Sequence, residues 1–419
     1  MMRLFPLTLA SLWNRRLTAG LTVVVIALSV SLLLGVERLR SDARASFAST
    51  VSGTDLIVGA RSGPVQLLLY SVFHIGDATN EISWPAVQRI AARREVAWVV
   101  PLSLGDSHRG YRVVGTSADF FKYYRYGDRR ALAFAAGDPF GPVFEAVVGA
   151  EVAARLGYRE GARITLAHGS GEHVAEHGDK PFSVVGVLAP TGTPVDRSVL
   201  VSLESIEAIH LDWQGGAPIP GLKIAPEMVR KFDLAPKRVT AALVGLENRA
   251  MVFRLQRAIN EDTREPLLAI LPGVTLDQLW DVVGIGARVL LAVSALVVAV
   301  GLAGLVAVMV ASLGERRREL AILRALGAGP RDVFFLVAAE SVLLTLAGCV
   351  LGVALVQVLV FSMAAWLQAN YGLAVSPGWP VGREWMLLGA VMLAGLLASL
   401  VPALRAYRQS LADGMMVRM

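Results

Sequence analysis

Four long apolar runs, one near the start and three in the last third, set the terms for any fold of this chain. Residues 17–36 are free of charge, about 20 residues or roughly 30 Å of helix, enough to cross a bilayer. Residues 289–313, 333–363 and 385–404 are as long or longer, and the only charge among them is Glu340. Between the first run and the second lies a polar stretch, residues 37–285, with no segment long enough to span. A soluble core cannot absorb four such helices. The expected fold class is therefore an α-helical membrane domain of four transmembrane helices in a 1+3 arrangement, with a large extracytoplasmic domain. Only 18% of the residues are charged and 54% are hydrophobic, against roughly 25% charged in soluble proteins.

Charge orients the spans. Arg15 and Arg16 precede the first, the segment 314–331 is basic, and Arg405, Arg408 and Arg418 follow the last. By the positive-inside rule these three segments are cytoplasmic and the 37–285 domain lies outside. The net charge of +6 is accounted for by these flanks and does not point to nucleic acid. Residues 1–16 place Phe5, Leu9, Leu12 and Trp13 on one face, the pattern of an interfacial helix at the lipid surface. The run that follows is too long for the h-region of a cleaved signal. Cys349 is the one cysteine, so no disulfide within the chain can staple the outer domain.

Within that domain, short β-like runs (96–101, 111–115, 146–148, 164–167, 182–188, 199–203 and 239–245) alternate with turns and short helical pieces at 151–156 and 248–260. Such alternation predicts an α+β domain. The run 65–72 is too short to span and reads as a buried helix or strand. Residues 364–384 form an outer loop, and 405–419 a cytoplasmic tail.

The segment 314–331, GERRRELAILRALGAGPR, is the most informative. Glu315 and Glu319 suit a helix N-terminus. Leu320, Leu323 and Leu326 recur at helical spacing, and Gly327 with Gly329-Pro330 stops the helix. Arg316, Arg317, Arg318 and Arg324 supply charge. Two readings fit: an inner loop that only fixes topology, or an amphipathic helix that docks a partner.

This segment closely resembles the loop that follows the second transmembrane helix in FtsX-like permeases, a family that includes MacB-type exporters and lipoprotein-releasing permeases. Glu315, Arg316, Arg317, Glu319, Ala321, Ile322, Leu323, Arg324, Ala325, Gly327 and Ala328 stand at the matching positions. Residues 147–166 also resemble a run in MacB-type periplasmic domains, through Gly149, Ala153, Leu156, Gly157 and Gly161. The resemblance implies a non-catalytic ABC transporter permease subunit of a bacterial inner membrane. It further implies a partner ATPase that carries ATP and Mg, a second copy or a paralogue, and a periplasmic substrate or partner protein. The permease would act by mechanotransmission. Its coupling residues would be Glu315, Arg316, Arg317, Arg318, Glu319, Leu320, Leu323, Arg324, Leu326 and Gly327. Alternatives are a zinc-linked ABC system, a regulator of a periplasmic hydrolase, and a membrane enzyme.

No G-x-x-x-x-G-K-[ST], G-x-S-x-G or H-E-x-x-H motif occurs, so a P-loop ATPase must be another chain. Glu340 lies about two turns into the third span. An intramembrane carboxylate marks either function or an ion pair, and the inner end of the span favours a pair with the arginine-rich loop. All six histidines lie in the outer domain, three of them in HGSGEHVAEHGD. His168, His173 and His177, with Glu172, could ligate zinc, or the stretch is a solvated hairpin tip. The topology is testable with fused reporters: one near Gly178 should be external, and reporters at Gly327 and the C-terminus internal. An internal Gly178 reporter would overturn the arrangement.

Overall fold

The computed structural model describes residues 11–408 except 14, 51, 78–79, 142, 170–174, 215–216, 372–374 and 376. The interfacial helix expected over residues 1–16 therefore lies mostly outside the described residues. The chain divides into two compact units. One comprises Met1–Asp42, Gly284–Trp366 and Val375–Met419; the other comprises Ala43–Val283 and Leu367–Ala374.

Among the described residues, four helices are long and apolar enough to cross a membrane: α1 (Arg16–Thr50), and three others beyond residue 270. Helix α1 runs past the apolar segment without a break. The α+β unit then begins with β1 (Leu56–Ala60), α2 (Pro64–Val72) and α3 (Trp84–Ala91). The run 65–72 is thus a helix, started by Pro64 at its first turn, where a missing N–H costs nothing. Next come β2 (Val96–His108), β3 (Tyr111–Thr116), β4 (Phe134–Gly137), β5 (Glu145–Val148) and α4 (Ala150–Leu156). A short hairpin, β6 (Ala167–His168) and β7 (Ala175–Glu176), precedes β8 (Phe182–Leu188), β9 (Ser198–Ser202) and α5 (Leu203–His210). The unit closes with β10 (Ala241–Leu246), α6 (Val252–Asn260) and β11 (Leu267–Ile270).

One mixed sheet organises this unit, in the order β11-β1-β10-β2-β3-β9-β5-β8-β4, with β6 also pairing to β2. The β3–β9 and β5–β8 pairs are parallel and the others antiparallel. Alternate residues of one strand enter different cores. Ile57, Leu243, Leu200 and Val147 join a core with Leu67, Leu68 and Phe120. Val58, Val244 and Ala242 face the cluster built on α3 and α6. Val199, Val201, Ala146 and Val148 face the cluster built on α4 and α5. Because both faces are covered, these strands read as continuous apolar runs rather than as alternating ones.

The membrane unit holds α8 (Arg317–Ala325) and α10 (Arg383–Arg408), together with most of α7 (Pro272–Glu315), α9 (Pro330–Tyr371) and α1. Two boundaries differ from the sequence expectation. Helix α7 starts well before residue 289, because Leu276, Leu279 and Trp280 pack on the core that also holds Ile57, Leu67 and Phe120. Helix α9 continues to Tyr371, shortening the outer loop expected over 364–384. Close helix packing falls at small residues, as is usual between membrane helices. A Cβ on Gly348 would lie 2.5 Å from Ile26, and one on Gly352 would lie 2.9 Å from the Ala27 carbonyl. Gly301 abuts Ser29, whereas Gly304 has nothing within 4 Å. Arg38 donates two hydrogen bonds, of 2.9 and 2.8 Å, to the Glu384 carboxylate, joining α1 to α10.

Two glycines of the 147–166 run have plain physical roles. Gly157 ends α4 in the left-handed region, φ 69°. Gly149 precedes α4 where a Cβ would lie 2.2 Å from the Val195 oxygen and 2.4 Å from the Asp196 oxygen. Gly149→Ala must push backbone against backbone, at a cost of about 1–3 kcal/mol. A lowered unfolding temperature, followed by tryptophan fluorescence in detergent, is the expected result. Gly178→Ala, with nothing within 4 Å, should melt like the unaltered protein.

Candidate functional site

Two clusters of polar side chains stand out, one in each unit. In the membrane unit, α7 stops at Glu315 and α8 starts at Arg317, leaving Arg316 as the hinge residue between them. Its guanidinium turns inward and binds the Glu340 carboxylate of α9 through both arms, at 2.7 and 3.0 Å. The pair is 4% and 2% exposed. Ser11 accepts a further bond from Arg316, and Glu319 lies 3.3 Å from its Nε. Glu340 is thus the ion-pair partner of the basic loop, the milder of its two readings. At the far end of α8, Gly327 adopts φ 102°. The Ala328 N–H donates to the Leu323 carbonyl at 3.0 Å, closing the helix as a glycine cap does.

This anchoring sets which face of α8 is free. Leu320 is buried among Leu313, Val333 and Val337, and Leu323 packs against the same cluster. Of the three leucines at helical spacing, Leu320 and Leu323 therefore face the membrane unit's own helices and not outward. The outward apolar residues are Ile322, 60% exposed, and Leu326, 81% exposed. Glu315, Arg317, Arg318 and Glu319 are exposed beside them, whereas Arg316 is withdrawn and Arg324 half-buried.

In the α+β unit, Asp106, His168, His177 and His210 bring one donor atom each to within 4.8 Å of one another. Each arrives on a different element. The register of β2 against β3 shifts between Leu104 and Ser107, and this irregularity contains Asp106; such bulges re-aim a side chain. His168 is the direct cross-strand partner of Asp106 in the β6–β2 pair. His177 follows β7, its N–H donating to the Leu166 carbonyl at 2.8 Å. His210 is the last residue of α5, a helix capped at its start by Ser202.

His168 Nδ1 lies 3.1 Å from Asp106 Oδ1 and 3.0 Å from His210 Nε2. His210 Nε2 is 3.6 Å from the same carboxylate oxygen. Burial opposes the charge on Asp106, yet hydrogen bonds from His168 and His210 hold its carboxyl at about 2. For His210, burial works downward, but the facing Asp106 raises it above the ordinary histidine value. Burial, reinforced by His210, pushes His177 down to about 4. Trp213 lies against His177, ring centroids 4.0 Å apart.

Of the four residues expected to ligate metal, the structure brings His168 and His177 together, while Glu172 and His173 lie outside the described residues. Asp106 and His210 were missed. Asp106 sits at the polar end of a long strand and His210 at the end of a helical run, and no local spacing links either to residues 168–177. His108 is a satisfied core histidine: Nδ1 donates to the Thr165 carbonyl at 2.6 Å and Nε2 accepts from the Tyr158 hydroxyl at 2.8 Å.

Comparison with known proteins agrees with this architecture. Residues 19–228, half of the chain, match the MacB-like periplasmic core domain, and residues 291–411 match the FtsX-like permease C-terminal family. The periplasmic region of MacB from Actinobacillus actinomycetemcomitans is 9% identical, with a TM-score of 0.34 over 56% of this chain and 97% of that one. The extracellular domain of the noncanonic ABC-type transporter YknZ from Gram-positive bacteria is 11% identical, with a TM-score of 0.30 over 52% of this chain and 99% of that one. A search among curated proteins found no match. With its four membrane helices, its α+β domain and both family matches in place, the chain belongs to the FtsX/MacB-type ABC transporter permeases.

Proposed function

We propose that this chain is the membrane subunit through which a separate ATPase drives a periplasmic domain in a bacterial inner membrane. The observation that carries this reading is α8: a short helix anchored from below by Arg316–Glu340, with Ile322 and Leu326 presented outward among charged residues. Two exposed apolar side chains beside Arg317, Arg318 and Glu319 match the usual make-up of an interface, an apolar anchor with a charged rim. The chain has no P-loop of its own, so ATP and Mg belong to the partner.

Closure of the ATPases would push α8. Because Arg316 ties the start of α8 to α9, the push reaches the membrane helices rather than bending a loose loop. Helices α1 and α7 each continue unbroken beyond their apolar segments, which supports a lever mechanism acting on the α+β domain. Two copies, or one copy and a paralogue, would complete the transporter. The membrane helices offer little polar lining, so the cargo is a periplasmic molecule or a lipoprotein handled outside the bilayer.

Leu326→Glu should leave insertion and folding intact, because the side chain is 81% exposed. Docking would bury the new charge unpaired, so the ATPase should no longer copurify and transport-coupled hydrolysis should disappear. Arg317→Ala should be milder, chiefly slowing association in a salt-dependent way. Wild-type ATPase stoichiometry with both Leu326→Glu and Ile322→Glu would show that α8 is not the docking element.

A further inference from the structure

We infer that Asp106, His168, His177 and His210 form a binding site for a zinc-type divalent cation inside the α+β domain. The distances come first. Tetrahedral zinc, with Zn–N near 2.0–2.1 Å, places its donors about 3.3 Å apart. Three donor pairs here are already at 3.0, 3.1 and 3.6 Å. His177 completes the group, with all four donor atoms inside 4.8 Å.

A hydrogen-bonded His–Asp network without a metal would account for three of these residues. It does not account for the fourth. His177 is 0% exposed, and both its ring nitrogens are buried with no hydrogen-bond partner among the described residues. Leaving such a ring unsatisfied is costly, and a bound cation would take up one of its two nitrogens.

The surroundings fit a ligand set. A backbone carbonyl can only accept, so the 2.9 Å contact from His210 Nδ1 to the Ile206 oxygen makes Nδ1 the donor. The lone pair of neutral His210 is then on Nε2, the atom facing Asp106 and His168. Ligating histidines are commonly oriented in this way by a backbone acceptor on the other nitrogen. The nearby Lys180 ammonium is committed to Asp212 and Asp179. No arginine or lysine forms an ion pair with Asp106 among the described residues, which leaves its buried carboxylate for a cation. Three imidazoles and one carboxylate suit zinc and its first-row neighbours, not calcium or magnesium, which prefer all-oxygen sites. Four protein donors leave no open position, the mark of a structural or sensing site rather than a catalytic one. A metal there would tie β2, the β6–β7 hairpin and the end of α5 together. This holds whether or not α8 docks an ATPase.

The test uses the full chain purified in detergent, stripped with EDTA, dialysed and titrated with zinc against a chromophoric chelator. About one zinc per chain is expected, and cobalt(II) should give the intense visible bands of a tetrahedral complex. Zinc should raise the unfolding temperature. Asp106→Asn, His177→Ala and His210→Ala should each weaken binding by at least ~10-fold and remove the thermal shift. Asp106→Asn keeps the side-chain shape, so its loss of binding cannot be put down to misfolding when its melt without zinc matches the native one. His173→Ala should bind normally. The assignment is overturned if the folded native chain takes up no stoichiometric zinc. It is equally overturned if His173→Ala abolishes binding while His210→Ala and Asp106→Asn do not.

Discussion

The buried pair of Arg316 and Glu340 is the interaction on which the exposed face of α8 depends. Two charges withdrawn from water are tolerated only with good geometry, and here both guanidinium arms meet both carboxylate oxygens, at 2.7 and 3.0 Å. Removing one partner of such a pair typically costs 3–5 kcal/mol, because the other charge is left alone. The pair therefore fixes the rotation of α8. With Arg316 held inward, Leu320, four residues on, also points inward and Ile322 stays exposed; Leu326, at the C-terminal cap, leaves that stripe and is exposed as well. A second bidentate pair, Arg38–Glu384, fastens α1 to α10 within the same unit. The helices between these ties meet through glycines at 348 and 352, which let α9 approach α1 closely.

The α+β unit rests on a different constraint. Its sheet is covered on both faces, so strands such as β1, β5, β9 and β10 bury every residue or nearly so. A sheet of this kind is stiff and gives precise placement to side chains at its irregularities. The shift in β2 places Asp106 opposite His168 of β6, and α5, packed on the same sheet, delivers His210. The polar cluster is thus a product of the apolar framework. With Trp213 against His177, the cluster is sheltered enough for an unpaired imidazole to be costly.

Much of this was legible along the chain, because the signals are local. An apolar run of twenty or more residues has one stable solution in a bilayer, since every backbone N–H and C=O must be satisfied within the helix. Strand β8 was readable to the residue as a short β-like run between turns. The end of α8 was readable from Gly327, because only a residue at ease with positive φ closes the helix there. The absence of a P-loop motif is likewise read directly from the sequence.

Only the tertiary structure decided which face of α8 is free and which residues gather around His168. Periodicity puts Leu320, Leu323 and Leu326 on one stripe but cannot say whether that stripe meets the protein's own helices or a partner. The answer came from Arg316 pairing with a residue 24 positions away. Glycines 348 and 352 look like any others until Ile26 and Ala27 are set against them. Asp106 and His210 carry no local mark of a shared role. Strand register and a helix end bring them together, and long-range pairing is the one thing that spacing along a chain does not encode.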